Sequence, residues 1–141
     1  MIHSLDSLPL AEEIEKRCAA IDRVMDVLVE INSGREASKG GLAPDEVEDF
    51  CQKLAAFPHL RLRGFMTMAP KCENLAEYRK YFGETYRQCL DIWQKKLDNI
   101  GSMKNNVAKE PPVISMGMSG SFEAAIAEGA TVVRIGGALF L

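Results

Sequence analysis

No stretch of the 141-residue sequence approaches the roughly 20 consecutive apolar residues that a membrane-spanning helix needs, so no membrane partner is expected. The opening Met1-Ile2-His3-Ser4-Leu5-Asp6 lacks the basic region and apolar run of a secretory signal. Cysteine is sparse. Cys18, Cys51, Cys72 and Cys89 match no zinc or redox spacing, so the expectation is a reduced, cytoplasmic chain without a metal. Positive charge is not in excess either: the net charge is −3 and the pI is near 5.4. The one dense basic spot, Arg61 and Arg63, reads as a solvated strand edge, so no nucleic-acid partner is expected. No G-x-G-x-x-G follows the first apolar segment, and Lys39-Gly40-Gly41 has the wrong order for a nucleotide-binding P-loop. Only two histidines occur, His3 and His59, each isolated and without a triad partner in sequence.

What is present suits one α/β domain over residues 1–141. Hydrophobic residues make up 47% and charged residues 26%, enough core to exclude disorder. The hydrophobic period switches repeatedly between strand and helix. Residues 1–5 read as a strand end. Ser7 is an N-cap, with Pro9 in the first turn and Glu12 and Glu13 favouring the positive helix end. Leu10, Ile14, Cys18 and Ile21 then recur at helical spacing. Val27 to Asn32 is a nearly continuous apolar run, as in a strand covered on both faces. A polar loop over 33–43 leads to a helix from Pro44 to Phe57, and Leu60 to Met68 is a third strand. Asn74 caps a long helix with Tyr78, Phe82, Cys89, Trp93 and Leu97 on its apolar face. A polar loop over 101–112 precedes a strand at 113–118, a helix at 121–128 and a fifth strand at 131–135. Alternation of this kind implies parallel strands with right-handed crossovers. Both an open doubly wound sheet and part of a (β/α)8 barrel satisfy it.

The last quarter carries the chemistry. Two apolar segments, Val113 to Met118 and Val132 to Ile135, each end in small residues: Ser119-Gly120-Ser121 and Gly136-Gly137. Such bends let backbone N–H groups approach an anion, and the first opens a helix. In barrels of alternating strands and helices, the loops after the last two strands commonly hold a phosphate. Ser119 offers a hydroxyl to that phosphate, or caps the helix. Arg134 sits in an apolar strand and needs an acceptor, either a ligand or a carboxylate such as Glu30. Lys39 reads as a solvated surface lysine. Met66, Met68, Met116 and Met118 read as core or ligand-lining packing, not as metal ligands.

Six segments together resemble the pyridoxal phosphate homeostasis proteins, a family related to the barrel domain of bacterial alanine racemase. They are Ile2-His3-Ser4-Leu5-Asp6-Ser7, Val27 to Asn32, Lys39-Gly40-Gly41, Leu62-Arg63-Gly64-Phe65-Met66, Ser115-Met116-Gly117-Met118-Ser119 and Val133-Arg134-Ile135-Gly136. The resemblance runs in order along the whole chain. It implies a partial (β/α)8 barrel corresponding to about strands four to eight, because a full barrel takes about 250 residues. It implies pyridoxal 5′-phosphate as the cofactor, with Met118, Ser119, Arg134, Gly136 and Gly137 as binding residues and no catalytic residue. By that resemblance, Arg134 faces the pyridine nitrogen and the first-strand Schiff-base lysine has no counterpart here. The family commonly has a threonine where Gly137 stands, and an acidic residue near Gly120 or Ser121.

Three functions follow as expectations. The first is a non-catalytic, non-covalent pyridoxal phosphate carrier in intracellular homeostasis of that cofactor. The second is a fragment of a racemase-type enzyme, which would need the lysine and an opposing acid such as a tyrosine; Tyr78, Tyr81 and Tyr86 fall on a surface helix pattern. The third is an inactive half-barrel that self-associates through open sheet edges.

Overall fold

The computed structural model describes residues 1–98 and 110–140. Strand β1 (Ile2–Leu5) is followed by helix α1 (Leu8–Ala20), β2 (Met25–Ile31), α2 (Val47–Lys53), β3 (Leu60–Thr67), α3 (Leu75–Asp98), β4 (Val113–Ser115) and α4 (Phe122–Ala127). The four strands are parallel and lie side by side in chain order. A sheet whose order never reverses, joined by right-handed crossovers, carries all its helices on one face. This decides between the two architectures in favour of the barrel.

Curvature makes the same point. His3 on β1 lies 3.1 Å from the Ser115 hydroxyl on β4. In a flat sheet, strands three places apart are about 14 Å apart. The sheet is therefore curled into an arc of a barrel. Its convex face supplies Val27, Val29, Ile31, Leu62, Phe65 and Ile114 to a core shared with Ala11, Phe50, Phe82, Cys89 and Trp93 from the helices. Its concave face carries His3, Glu30 and Ser115.

Local sequence explains most element ends. The Ser7 side chain accepts from Leu10 N–H at 3.4 Å and caps α1, with Pro9 in the first turn. Asn74 accepts from Glu77 N–H at 3.0 Å at the start of α3. Gly64 is required where β3 bulges: its φ is +151°, and a Cβ there would lie 1.9 Å from the Val113 carbonyl oxygen, so only glycine lets β4 approach. Gly117, with φ +90°, turns the chain out of β4.

Several expected boundaries move. Because Gly117 turns the chain, β4 ends at Ser115 rather than 118. Residues 131–135 do not form a fifth strand. They run beside β4 through Thr131 N–H to Ile114 O at 2.9 Å and Met116 N–H to Val132 O at 3.1 Å. So short a β4 leaves only one bridge, Ser115 to Val132. The helix expected from Pro44 to Phe57 is broken into α2 and two 3-10 turns, Pro44–Glu46 and Leu54–Ala56. Ile21 falls past the end of α1 and is exposed, since Asp22 turns the chain with φ +48°. Glu12 and Glu13 lie beyond the first turn of α1. The expected loop over 101–112 lies largely outside the described residues, as does the Leu97 side chain.

Candidate functional site

The two bends of the tail meet. The Ser119 hydroxyl oxygen accepts from the Gly136 N–H at 3.3 Å and from the Ala138 N–H at 3.2 Å. Ser119 therefore does not cap α4. The Ser121 and Phe122 N–H groups at that helix start both donate to Met118 O at 2.9 Å. With only six residues, and its leading donors spent, α4 contributes little as a helix end. The anion-seeking donors belong to the bends.

Met118, Ser119, Gly120, Arg134, Ile135, Gly136 and Gly137 line an open cleft of about 520 Å³. All five residues expected at the site are thus in one place. Gly120, Gly136 and Gly137 have ordinary backbone angles, and a Cβ added to any of them meets nothing within 4 Å. Neither strain nor crowding in this fold demands glycine there. Bare backbone facing open space suits a ligand that comes close to the N–H groups, so the cleft fits a phosphate monoester.

Arg134 forms the inner end of the cleft. Its Nη1 donates to the Ser115 hydroxyl at 2.8 Å and its Nη2 to the Thr67 carbonyl at 3.1 Å. Burial lowers the guanidinium pKa from its ordinary value, and the field of Glu30 opposes that. Glu30 is not a direct ion-pair partner among the described residues; it acts on Arg134 at longer range. Burial raises the Glu30 carboxyl above the usual range, Asp6 adds to the rise, and Arg134 opposes it. Asp6 in turn accepts from Gly41 N–H at 3.1 Å, which straps the Lys39-Gly40-Gly41 loop over the strand ends. The Lys39 amine pairs with Glu36 at 3.6 Å, the solvated arrangement.

Two sequence expectations are corrected. His3 is not isolated: its Nδ1 faces Ser115, which also holds Arg134. His59 is not isolated either. Its N–H donates to Glu15 at 2.9 Å, and its Nδ1 lies 2.7 Å from the same carboxylate. Both contacts join residues far apart in the chain, so no local signal announces them. Of the four methionines expected to pack, Met66 and Met116 are buried and Met118 lines the cleft, while Met68 is half-buried and lies outside the cleft lining. No cluster able to hold a metal occurs among the described residues. No described helix is long and apolar enough to cross a membrane.

Residues 1–141 match the model of the alanine racemase N-terminal domain. The chain belongs to that family. Within it, the chain is 42% identical over 140 residues to the pyridoxal phosphate homeostasis protein of Aquifex aeolicus, covering 99% of this chain and 57% of that one. It is 39% identical over 141 residues to the protein of the same name from Helicobacter pylori, covering 99% and 56%. The chain thus spans just over half the length of these relatives. Among solved structures it resembles PipY of Synechococcus elongatus with pyridoxal phosphate bound. That match has a TM-score of 0.79 and 26% identity, and it covers 99% of this chain and 60% of that one. Alanine racemase of Clostridium difficile shares the fold at a TM-score of 0.65 and 22% identity, covering 96% and 34%.

Proposed function

We propose that this chain binds pyridoxal 5′-phosphate without a covalent bond and serves homeostasis of that cofactor inside the cell. The observation that carries this reading is the junction at Ser119, whose hydroxyl fastens two glycine bends around a cleft that ends at Arg134. The relatives' name and the ligand in PipY support it. When bound, pyridoxal phosphate supplies an aldehyde on an electron-withdrawing pyridine ring. The Ser119 hydroxyl proton and the backbone N–H groups of Gly120 and Gly137 would hold the phosphate, while the Gly136 N–H fastens its bend to the Ser119 oxygen. Met118 and Ile135 would lie against the ring. Arg134 would donate to the ring nitrogen. An always-charged donor keeps that nitrogen unprotonated, which weakens the ring as an electron sink and favours carriage over turnover. Lys39 is exposed, pairs with Glu36 and does not line the cleft, so it is not placed to anchor the aldehyde.

Titration of the purified chain with pyridoxal 5′-phosphate, pyridoxal and inorganic phosphate tests the reading. Binding should be tightest for the first, weak for the others, and reversible by dialysis. A borohydride-stable adduct at a single lysine would overturn the non-covalent part, and equal affinity for pyridoxal would overturn the phosphate cradle. The reading extends to self-association. The outer edge of β1 has no strand partner among the described residues, and such edges recruit others. Sedimentation as a well-folded monomer would count against that extension.

A further inference from the structure

The concave face of the sheet carries a polar chain that phosphate and ring binding leave unexplained: His3, Ser115, Arg134 and the Thr67 carbonyl. We infer that His3 is a positioning residue for Arg134 and acts through Ser115. The inference rests on the proposed role of Arg134 toward a bound heterocycle.

The argument starts from the Ser115 hydroxyl. Ser115 is fully buried, so its one O–H and its lone pairs must find partners within the protein. Arg134 Nη1 donates to its oxygen at 2.8 Å. A guanidinium accepts nothing, so the hydroxyl proton must point elsewhere. His3 Nδ1, at 3.1 Å, is the acceptor in reach. Nδ1 is therefore bare, and the ring proton sits on Nε2. Burial, then the charge of Arg134, then the chain's amino terminus hold the His3 pKa below its ordinary value, which agrees with a neutral ring.

The consequence falls on Arg134. With its proton drawn to His3, Ser115 presents a lone pair to the guanidinium at all times. Without that acceptor the hydroxyl can rotate its proton toward the charge and release it. The Thr67 carbonyl on β3 is a second anchor at 3.1 Å. Two fixed acceptors on adjacent strands set the plane of a rigid fork, so its other N–H groups keep one direction. His3 reaches this pair only because the curled sheet brings β1 across to β4.

The test uses the whole chain and three variants. In His3→Leu the acceptor is gone, in His3→Asn the amide oxygen takes the place of Nδ1, and in Ser115→Ala the relay is missing. Nitrogen-15 spectra of the bare protein should show His3 as the Nε2–H tautomer. They should also show resolved Arg134 guanidinium signals in the unchanged protein and in His3→Asn. Those signals should average out in His3→Leu and Ser115→Ala. Pyridoxal phosphate should bind these two about three- to tenfold more weakly, the worth of one hydrogen bond, and His3→Asn within about twofold. A wild-type Nδ1–H tautomer would overturn the inference, and so would His3→Leu with unchanged Arg134 signals and affinity. Should His3→Leu fail to fold, the tautomer in the unchanged protein still decides. Expected spectra with no binding of pyridoxal phosphate would uphold the positioning role and sink the ligand reading.

Discussion

Replacing Gly136 or Gly137 with alanine separates a ligand cradle from an ordinary turn. In this fold the new Cβ meets nothing within 4 Å at either position, and neither residue has a left-handed backbone. Stability should therefore hold or rise. Loss of glycine's freedom in the unfolded chain stabilises a compatible site by about 0.4–1 kcal/mol. In a domain of this size that raises the melting temperature by about 1–4 °C. Ligand affinity should move the other way. A methyl group projecting where a phosphate must approach the N–H donors removes contacts of charged hydrogen-bond type, each worth about 1.5–3 kcal/mol. A loss of at least tenfold, about 1.4 kcal/mol, is expected for pyridoxal 5′-phosphate. Affinity for pyridoxal, which has no phosphate, should not change. Circular-dichroism melts and a fluorescence titration measure the two sides. Unchanged affinity for the phosphate ester in both variants would refute the cradle.

Gly64→Ala should cost several kcal/mol and abolish cooperative folding, because its Cβ would lie 1.9 Å from the Val113 oxygen at φ +151°; a normal melt would contradict the bulge geometry. Ser7→Ala should lose about 1 kcal/mol by removing the cap on α1, read as a lower denaturation midpoint at unchanged slope. The raised pKa of Glu30 means that the folded state keeps a proton after the unfolded chain has released its own. Stability should then fall as pH climbs from the ordinary glutamate value through the raised one, and Glu30→Gln should flatten that slope. Denaturant midpoints across that window, identical in slope for both proteins, would show that Glu30 is not the cause.

Local chemistry was legible wherever one residue type settles one geometry. The Ser7 and Asn74 caps and the β2 run follow from that rule, and the proximity of the two bends follows from barrel order. What escaped depends on distance or on pairing length. His3 and Ser115 are 112 residues apart and meet only because the sheet curls. Val132-Val133-Arg134-Ile135 has strand composition, yet a ladder needs a partner longer than three-residue β4. Ile21 has the right helical phase but lies beyond the turn at Asp22. Glycine at 136 and 137 could be read only as permissive from sequence; the open space beside each, seen in three dimensions, gives the choice its meaning.

Amide chemical shifts recorded while pyridoxal 5′-phosphate is added to the chain put the site to the most direct trial. The largest changes should fall together on Ser119, Gly120, Gly136, Gly137 and Ala138, with the Arg134 guanidinium moving at the same ligand concentration. Saturable binding that leaves those signals in place and perturbs another surface would contradict the site.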